Sequence, residues 1–519
     1  MRRTLYQRIR PFLPYIAVLA IIFIAAYVYI FNQKIDINGD NCHYYMFATS
    51  IAEGHGYADM MSGEYNPSNG FPPGYPLLMS ILRSFTDSII LQKILNGLFL
   101  FASVCLLFYF IYKAKDSLEL AFAAAALALV NYRALSFATM MMSEMSCLLF
   151  SVLTILFLAS MRNDKAFWKD PSFYLALLAA AYCYHIRTQA ISLGVAVACW
   201  FIVSKRWKEA LGWIAGFALC LLPWIIRNNI AGLGQSRYLD TIKMANPLRP
   251  HEGELGLMEI IGRFIDTFRM LMTKAIPNSV APYIDVNYEA PTSPNEWLIG
   301  LLLCALIGIG MWQFGRYKFL LIFYALATFG LISIFSTPGG NRYITSILPI
   351  FDVCLAIGLY TVLLFALRKT GISRKLSPRL LLILLLFAIP VLKTTNMYNK
   401  APFPPAYQNY FQIASDVRKQ FPTAKVCSRK PELFYMFSRG PVTGYAFTND
   451  NKELIRGLIE AKVDYVVIEQ LGYAHTAMYL FPAVQNNIDL FQIAMHIPNP
   501  DTWLLKFDRD KALQSLAAE

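Results

Sequence analysis

Eleven apolar stretches, at residues 11–33, 88–112, 117–132, 135–161, 171–185, 188–204, 209–226, 297–315, 318–336, 343–367 and 380–394, constrain this chain more than any single motif does. A helix rises about 1.5 Å per residue and about 20 apolar residues cross a hydrocarbon core of about 30 Å, so runs of this length predict membrane spans. Composition agrees, with 56% hydrophobic and 15% charged residues, against about 25% charged in a soluble domain. The first run follows a basic decapeptide but is too long for a signal peptide, and no small-residue cleavage site follows it; it predicts a retained anchor. The expected fold is a membrane all-α bundle of about eleven transmembrane helices.

Charge sets the orientation. With the N-terminus in the cytoplasm, nineteen Lys and Arg fall in inner segments, among them Arg2, Arg3, Arg8 and Arg10, Lys205, Arg206 and Lys208, and Arg374, Lys375 and Arg379. Only five, Lys34, Arg83, Arg133, Arg187 and Arg342, fall in the short outer connections. That alternation is the positive-inside pattern, so the net charge of +13 is a topological signal and not a nucleic-acid footprint. An odd number of spans places the C-terminal segment outside.

Residues 1–395 therefore read as a transmembrane domain that includes outer loops 32–87 and 227–296, and residues 396–519 as a small extracytoplasmic α/β domain behind a Pro-rich linker, Ala401-Pro402-Phe403-Pro404-Pro405. In that tail, residues 407–421, 431–438 and 449–461 carry helical patterns, while 425–428 and 463–468 read as strands with some parallel pairing. Residues 255–274 form an amphipathic stretch suited to lying along the outer membrane face. Nine cysteines without metal-type spacing give no zinc module. Cys42 and Cys427 are the two outer cysteines, which leaves one disulfide open.

An enzyme at the outer surface needs a carboxylate to act as base and a fixed cation for an anionic leaving group. Asp40, in Asn38-Gly39-Asp40-Asn41, is the base candidate, against a plain helix N-cap. Glu144, in Met142-Ser143-Glu144-Met145, is an ionisable group in an apolar helix start; a functional role competes with stabilisation by the helix dipole. Arg342, after Gly339-Gly340-Asn341, has a planar fork suited to phosphate, with the glycines letting backbone N–H groups approach, against an interfacial anchor snorkelling to lipid headgroups. Arg187 and Arg227 also fall at outer span ends, where interfacial anchoring is the competing role. His43, His55 and His185 could bind a metal with Asp40 or Glu53, but their spacings are not diagnostic. Asp352, inside a span, would suit an ion relay.

These pieces occur in a recognisable order. Gly39-Asp40 followed by Tyr44, Ala48 and Gly54-His55-Gly56-Tyr57, then Phe71-Pro72-Pro73-Gly74-Tyr75-Pro76-Leu77-Leu78, Ser143-Glu144, Pro223-Trp224-Ile225-Ile226-Arg227-Asn228 and Asn341-Arg342-Tyr343 together resemble polytopic glycosyltransferases of the protein O-mannosyltransferase and lipid A aminoarabinose transferase type, the GT-C fold. The resemblance implies inverting transfer of a sugar from a polyprenyl-phosphate donor to a lipid, glycan or protein acceptor at the outer face of a bacterial inner membrane. It implies Asp40 as catalytic acid/base, Glu144 as the second acidic residue, Arg342, Arg227 and Arg187 at the donor phosphate, and His43, Tyr44, His55, Tyr75 and Tyr343 around the donor and acceptor cavity. No cofactor is fixed by this reading, and a divalent metal stays open. Gly70-Phe71 stands where the aminoarabinose transferases have Glu-Lys, which leaves phosphate binding to arginines, and Asn41 stands where the protein O-mannosyltransferases have Glu, which weighs against a protein acceptor. Two other classes share some features: a transporter or flippase for lipid-linked sugars, and an O-antigen polymerase or ligase.

Overall fold

A computed structural model of the protein describes residues 10–162, 166–234, 238–246, 252–284, 286–335, 341–370 and 376–517. Among these, seven helices are long and apolar enough to cross a membrane: Leu13–Ile30, Ile89–Lys115, Trp207–Ile230, Pro294–Trp312, Gly315–Ile334, Leu348–Lys369 and the apolar start of the run Pro378–Gln420. Leu118–Leu129 and Tyr132–Ala138 add an eighth if a pair bent by 63° is taken as one span. Three further expected runs form shorter helices, Glu144–Ser160, Pro171–Ile186 and Ile191–Val203.

The run at 135–161 is not one helix, and the reason lies in its polar residues. Asn131 caps a new helix, its Oδ1 accepting from the backbone N–H groups of Arg133 and Ala134 at 3.0 and 3.1 Å. That helix ends at Ala138, and the next begins at Glu144. The break sets Glu144 at a helix N-terminus, where unpaired N–H groups favour a carboxylate.

Tight crossings hold the bundle. On Pro294–Trp312 and Leu348–Thr370, a Cβ built on Gly310 would lie 1.7 Å from the Cys354 carbonyl oxygen, and one on Gly358 would lie 1.9 Å from that of Leu306. These glycines let two backbones touch, the usual way membrane helices gain packing without a hydrophobic driving force. The helix Ala388–Lys400, which continues the last apolar run, returns to the first span, with the buried Asn399 amide donating to the Ile30 carbonyl at 2.7 Å.

Loop 32–87 is ordered by two helices, Asp40–Ala52 and Gly74–Arg83, and by a two-stranded pair, β1 (Ala58–Asp59) and β2 (Asn66–Pro67). Segment 227–296 contains the amphipathic helix Leu257–Met270, with Leu257, Met258, Ile261 and Ile265 exposed. Beyond the Pro-rich stretch, a five-stranded sheet has the order β4-β3-β5-β7-β6. β3 (Val426–Cys427) pairs in parallel with β4 (Val442–Thr443) and β5 (Tyr465–Ile468), while β7 (Thr502–Phe507) pairs antiparallel with β5 and with β6 (Phe491–Ile497). The antiparallel β6–β7 hairpin is an addition to the expected pattern. Cys42 and Cys427 are both free and buried, so the disulfide left open by the sequence is not formed.

Candidate active site

Asp40 sits at the start of its helix because of the turn before it. Gly39 has φ +106°, a conformation that side-chain-bearing residues rarely adopt. The Asn41 side chain closes the turn: its Oδ1 accepts from the Gly39 N–H at 3.1 Å and its Nδ2 donates to the Asp36 carbonyl at 2.8 Å. The buried Asn41 is thus a turn-former, which accounts for an amide at this position in place of a second acid. Burial pushes the neighbouring Asp36 carboxyl above its ordinary range, opposed by hydrogen bonds from Asn38.

The Asp40 carboxylate makes no helix cap. It accepts from Arg342 Nη2 at 2.5 Å, while Arg342 Nε donates to Glu144 Oε1 at 3.1 Å. Arg187 Nη1 reaches the same Glu144 oxygen at 2.9 Å and also donates to Ser143 Oγ at 3.0 Å. Two carboxylates and two guanidiniums alternate, joining residues 40, 342, 144 and 187 from four separate segments. Glu144 is fully buried, whereas Asp40 and Arg342 keep about 30% of their side-chain surface exposed (31% and 29%). Burial is the largest single influence and opposes the charge on Arg342 and Arg187, but Glu144 together with Tyr44 and, for Arg342, Asp40 outweighs it, so both guanidiniums are held above the usual arginine range. The snorkelling alternative for Arg342 fails for the same reason: its charge is engaged inside the protein.

Arg342 lies in the short helix Asn341–Ile344, held from two sides. Gln189 Nε2 donates to the Tyr343 carbonyl at 2.7 Å, and Asn341 Nδ2 donates to the Tyr288 hydroxyl at 3.2 Å. Gly339-Gly340, considered from the sequence as backbone donors, lies outside the described residues. Tyr44 joins the cluster through its hydroxyl, 3.2 Å from Ser143 Oγ, and the buried Tyr75 ring stands edge-on to it at 5.0 Å.

Other candidates go elsewhere. Arg227 donates to the carbonyls of Ser68 and Tyr57 at 2.6 and 2.7 Å and stacks on Trp224, so it fastens the far side of loop 32–87 and does not enter the cluster. His55 is exposed and stacks on Tyr65 at 3.6 Å. His43 packs on Phe71 at 5.2 Å, and His185 Nε2 lies 3.1 Å from the Cys220 carbonyl. Asp352 is buried beside Asn131 in the wall of a largely apolar cavity of about 370 Å³.

Among the described residues no group of three or more His, Cys, Asp or Glu converges as a metal site would. The facing oxygens of Asp40 and Glu144 are already bridged by the Arg342 guanidinium. Ser143, Gln189 and the turn-forming role of Asn41 are structural parts that sequence reasoning missed. The first two contacts join residues 44 and 154 positions apart, for which no local signal exists.

The turn makes a direct prediction. A Cβ at Gly39 would lie 2.3 Å from Glu432 Oε1 and would also strain the backbone, so Gly39→Ala is expected to cost about 1–3 kcal/mol. The check is the thermal melting of the purified full-length protein, and an unchanged midpoint would exclude this account of the turn.

Comparison with known proteins places the architecture. No family model matches the sequence, and no curated protein matches it. Among solved structures, the chain is similar to ArnT from Cupriavidus metallidurans in the apo state, with a TM-score of 0.60 and 12% identity over 95% of this chain and 97% of that one. It is equally similar to ArnT from the same organism bound to undecaprenyl phosphate, with a TM-score of 0.60 and 11% identity over 96% and 98%. The chain therefore has the GT-C fold that the sequence resemblance implied, with a small sheet at its C-terminal end.

Proposed function

We propose that this chain is an integral membrane glycosyltransferase that moves a sugar from a polyprenyl-phosphate carrier to an acceptor at the outer face of a bacterial inner membrane, with inversion. The observation that carries the reading is the Asp40–Arg342–Glu144–Arg187 cluster within an ArnT-like fold. The solved ArnT that holds undecaprenyl phosphate supports a carrier of that chemistry.

The charges suit the reaction. At rest the two carboxylates and two guanidiniums sum to zero. As the acceptor oxygen attacks the anomeric carbon, its proton passes to Asp40, the more exposed carboxylate, and the bond to the carrier phosphate breaks with its electron pair leaving on oxygen. The phosphodiester gains one negative charge as it becomes a monoester. Protonated Asp40 no longer neutralises Arg342, so the cluster acquires one positive charge beside that phosphate in the same step. Glu144, locked between two arginines, sets the guanidinium geometry. Arg187 acts from behind, while Arg342 faces the leaving group; Arg227 contributes by holding the loop.

Full-length protein in liposomes, supplied with a radiolabelled undecaprenyl-phosphate-linked sugar pool and an envelope lipid extract, should release undecaprenyl phosphate. Mass spectrometry of envelope glycans and glycolipids with and without the active protein should show one sugar missing from one acceptor class. No released carrier and no missing sugar would falsify the reading. Arg342→Lys keeps a charge but cannot bridge two carboxylates through a planar fork, and turnover is expected to fall about 10²-fold, in the range seen for loss of a transition-state donor. Steady-state release of undecaprenyl phosphate measures it.

A further inference from the structure

The extramembrane sheet and the Asp40 turn are in direct contact. β3 lies between β4 and β5, and the chain reaches these two neighbours on opposite sides of it. At such a reversal, α/β domains bind ligands beyond the carboxyl ends of the strands. Here the segment leaving β3 meets the first outer loop of the membrane domain.

Lys430, three residues past the end of β3, is 6% exposed. Its Nζ donates to the carbonyls of Ile37 and Asn38 at 2.8 and 2.7 Å, and Glu432 stands 3.8 Å away as its counter-charge. The lysine is itself anchored, since its own carbonyl accepts from the buried Tyr410 hydroxyl at 2.9 Å. A second tether joins the same loop to the edge of the sheet, where the Val442 N–H donates to the Met61 carbonyl at 2.6 Å.

We infer that Lys430 is a positioning residue for Asp40, through which the extramembrane sheet aligns the proposed base; the inference rests on the glycosyltransfer reading. The two carbonyls it holds belong to the two peptide planes ahead of the Gly39–Asp40 linkage. Asn41 fixes the other side of the turn. Between these supports, the only large freedom left to Asp40 is its side chain, and Arg342 takes that up. A buried ammonium donating to two carbonyls makes charge-assisted bonds, which are stronger than neutral ones. Without it the turn loses the clamp while the Arg342 contact pulls on the carboxylate from one direction. Lys430 touches neither donor nor acceptor in this scheme, so its removal acts on the chemical step and spares donor binding.

The test uses full-length protein in liposomes with the same undecaprenyl-phosphate-linked sugar pool. Lys430→Met is expected to lower kcat about 10–100-fold, the scale set by displacing a reacting group by about 1 Å, with donor KM within about twofold of wild type. Lys430→Arg should recover part of kcat because it returns a cation to the carbonyls, and Lys419→Met, on an exposed face of the same domain, should leave kcat unchanged. Unchanged kcat in folded Lys430→Met overturns the inference. So does a loss spread over kcat, KM and melting temperature that Lys430→Arg does not relieve, because that marks a merely structural lysine. If Lys430→Met is not recovered folded, Lys430→Arg decides: a several-fold lower kcat at constant KM supports positioning, and wild-type kcat overturns it. Asp40→Asn, run in parallel, separates the two ideas. If it is inactive while Lys430→Met is normal, only the positioning role falls; if Asp40→Asn is itself fully active, the underlying reading falls.

Discussion

Asp40→Asn is expected to reduce turnover by about 10³-fold, within the range for loss of a positioned general base, without raising donor KM. The asparagine oxygen can still accept from Arg342, so the turn and the guanidinium stay in place. What disappears is basicity, since an amide cannot take the acceptor proton. Charge makes the outcome more specific than simple loss of activity. Removing one negative charge leaves the four-residue cluster with a net positive charge before the reaction begins, which favours the carrier phosphate in the ground state. Donor KM should therefore hold or fall while kcat collapses. Turnover near wild type would remove Asp40 from the chemistry, and a large rise in donor KM with kcat preserved would assign it to binding.

Glu144→Ala carries the second large effect, and it falls on stability. Its carboxylate is fully buried and is shared by Arg187 and Arg342. Truncation leaves both guanidiniums facing each other without the intervening negative charge, and breaking a buried pair in this way costs about 3–5 kcal/mol. Glu144→Gln should cost less, because the amide oxygen can still accept from one arginine. The diagnostic comparison is with the double substitution Glu144→Met, Arg187→Met, which removes an acid and a base together. It should be less destabilising than Glu144→Ala alone, as uncharged replacements of buried pairs often are. Unfolding midpoints of the purified full-length variants decide, and equal midpoints for all three would show that the cluster contributes nothing to holding the helices.

Much of this arrangement was legible in the sequence because each charge stands out against an apolar background. Glu144 in Met142-Ser143-Glu144-Met145 and Arg342 beside a span are expensive placements unless something pairs them, and the structure pairs them with each other. The turn at Gly39-Asp40 could be read in part, since a glycine ahead of an acid permits one, but the closing of that turn by the Asn41 side chain leaves no signal in the sequence. Arg187 was harder to weigh, because an arginine at a span end has an adequate explanation in the lipid interface. Arg227 misled for the opposite reason: its motif is prominent, yet its fork is used on the carbonyls of Tyr57 and Ser68. Periodicity could not show that residues 135–161 break ahead of Glu144, since the apolar character continues through Met140-Met141-Met142 and only the Asn131 cap and the polar residues Thr139 and Ser143 mark the interruption. The short strands β3 and β4, of two residues each, are set by tertiary pairing and leave almost no pattern of their own.

The alternation of charges from four distant segments also dictates an order of assembly during synthesis. Glu144 opens the helix Glu144–Ser160 and Arg187 directly follows the end of Pro171–Ile186, and these two helices pack against each other. They can neutralise one another as soon as that hairpin leaves the translocation machinery, which lowers the penalty for bringing either into the bilayer. Asp40, made earlier, has to wait for Arg342, and the clamp on its turn has to wait longer still for Lys430. A nascent chain therefore carries its proposed base for most of its elongation without the groups that aim it. Under the proposed function, competence for transfer arrives only when the last segment has folded onto the Asp40 turn, so a truncated or stalled product would be paired at Glu144 and Arg187 yet unable to discharge the carrier.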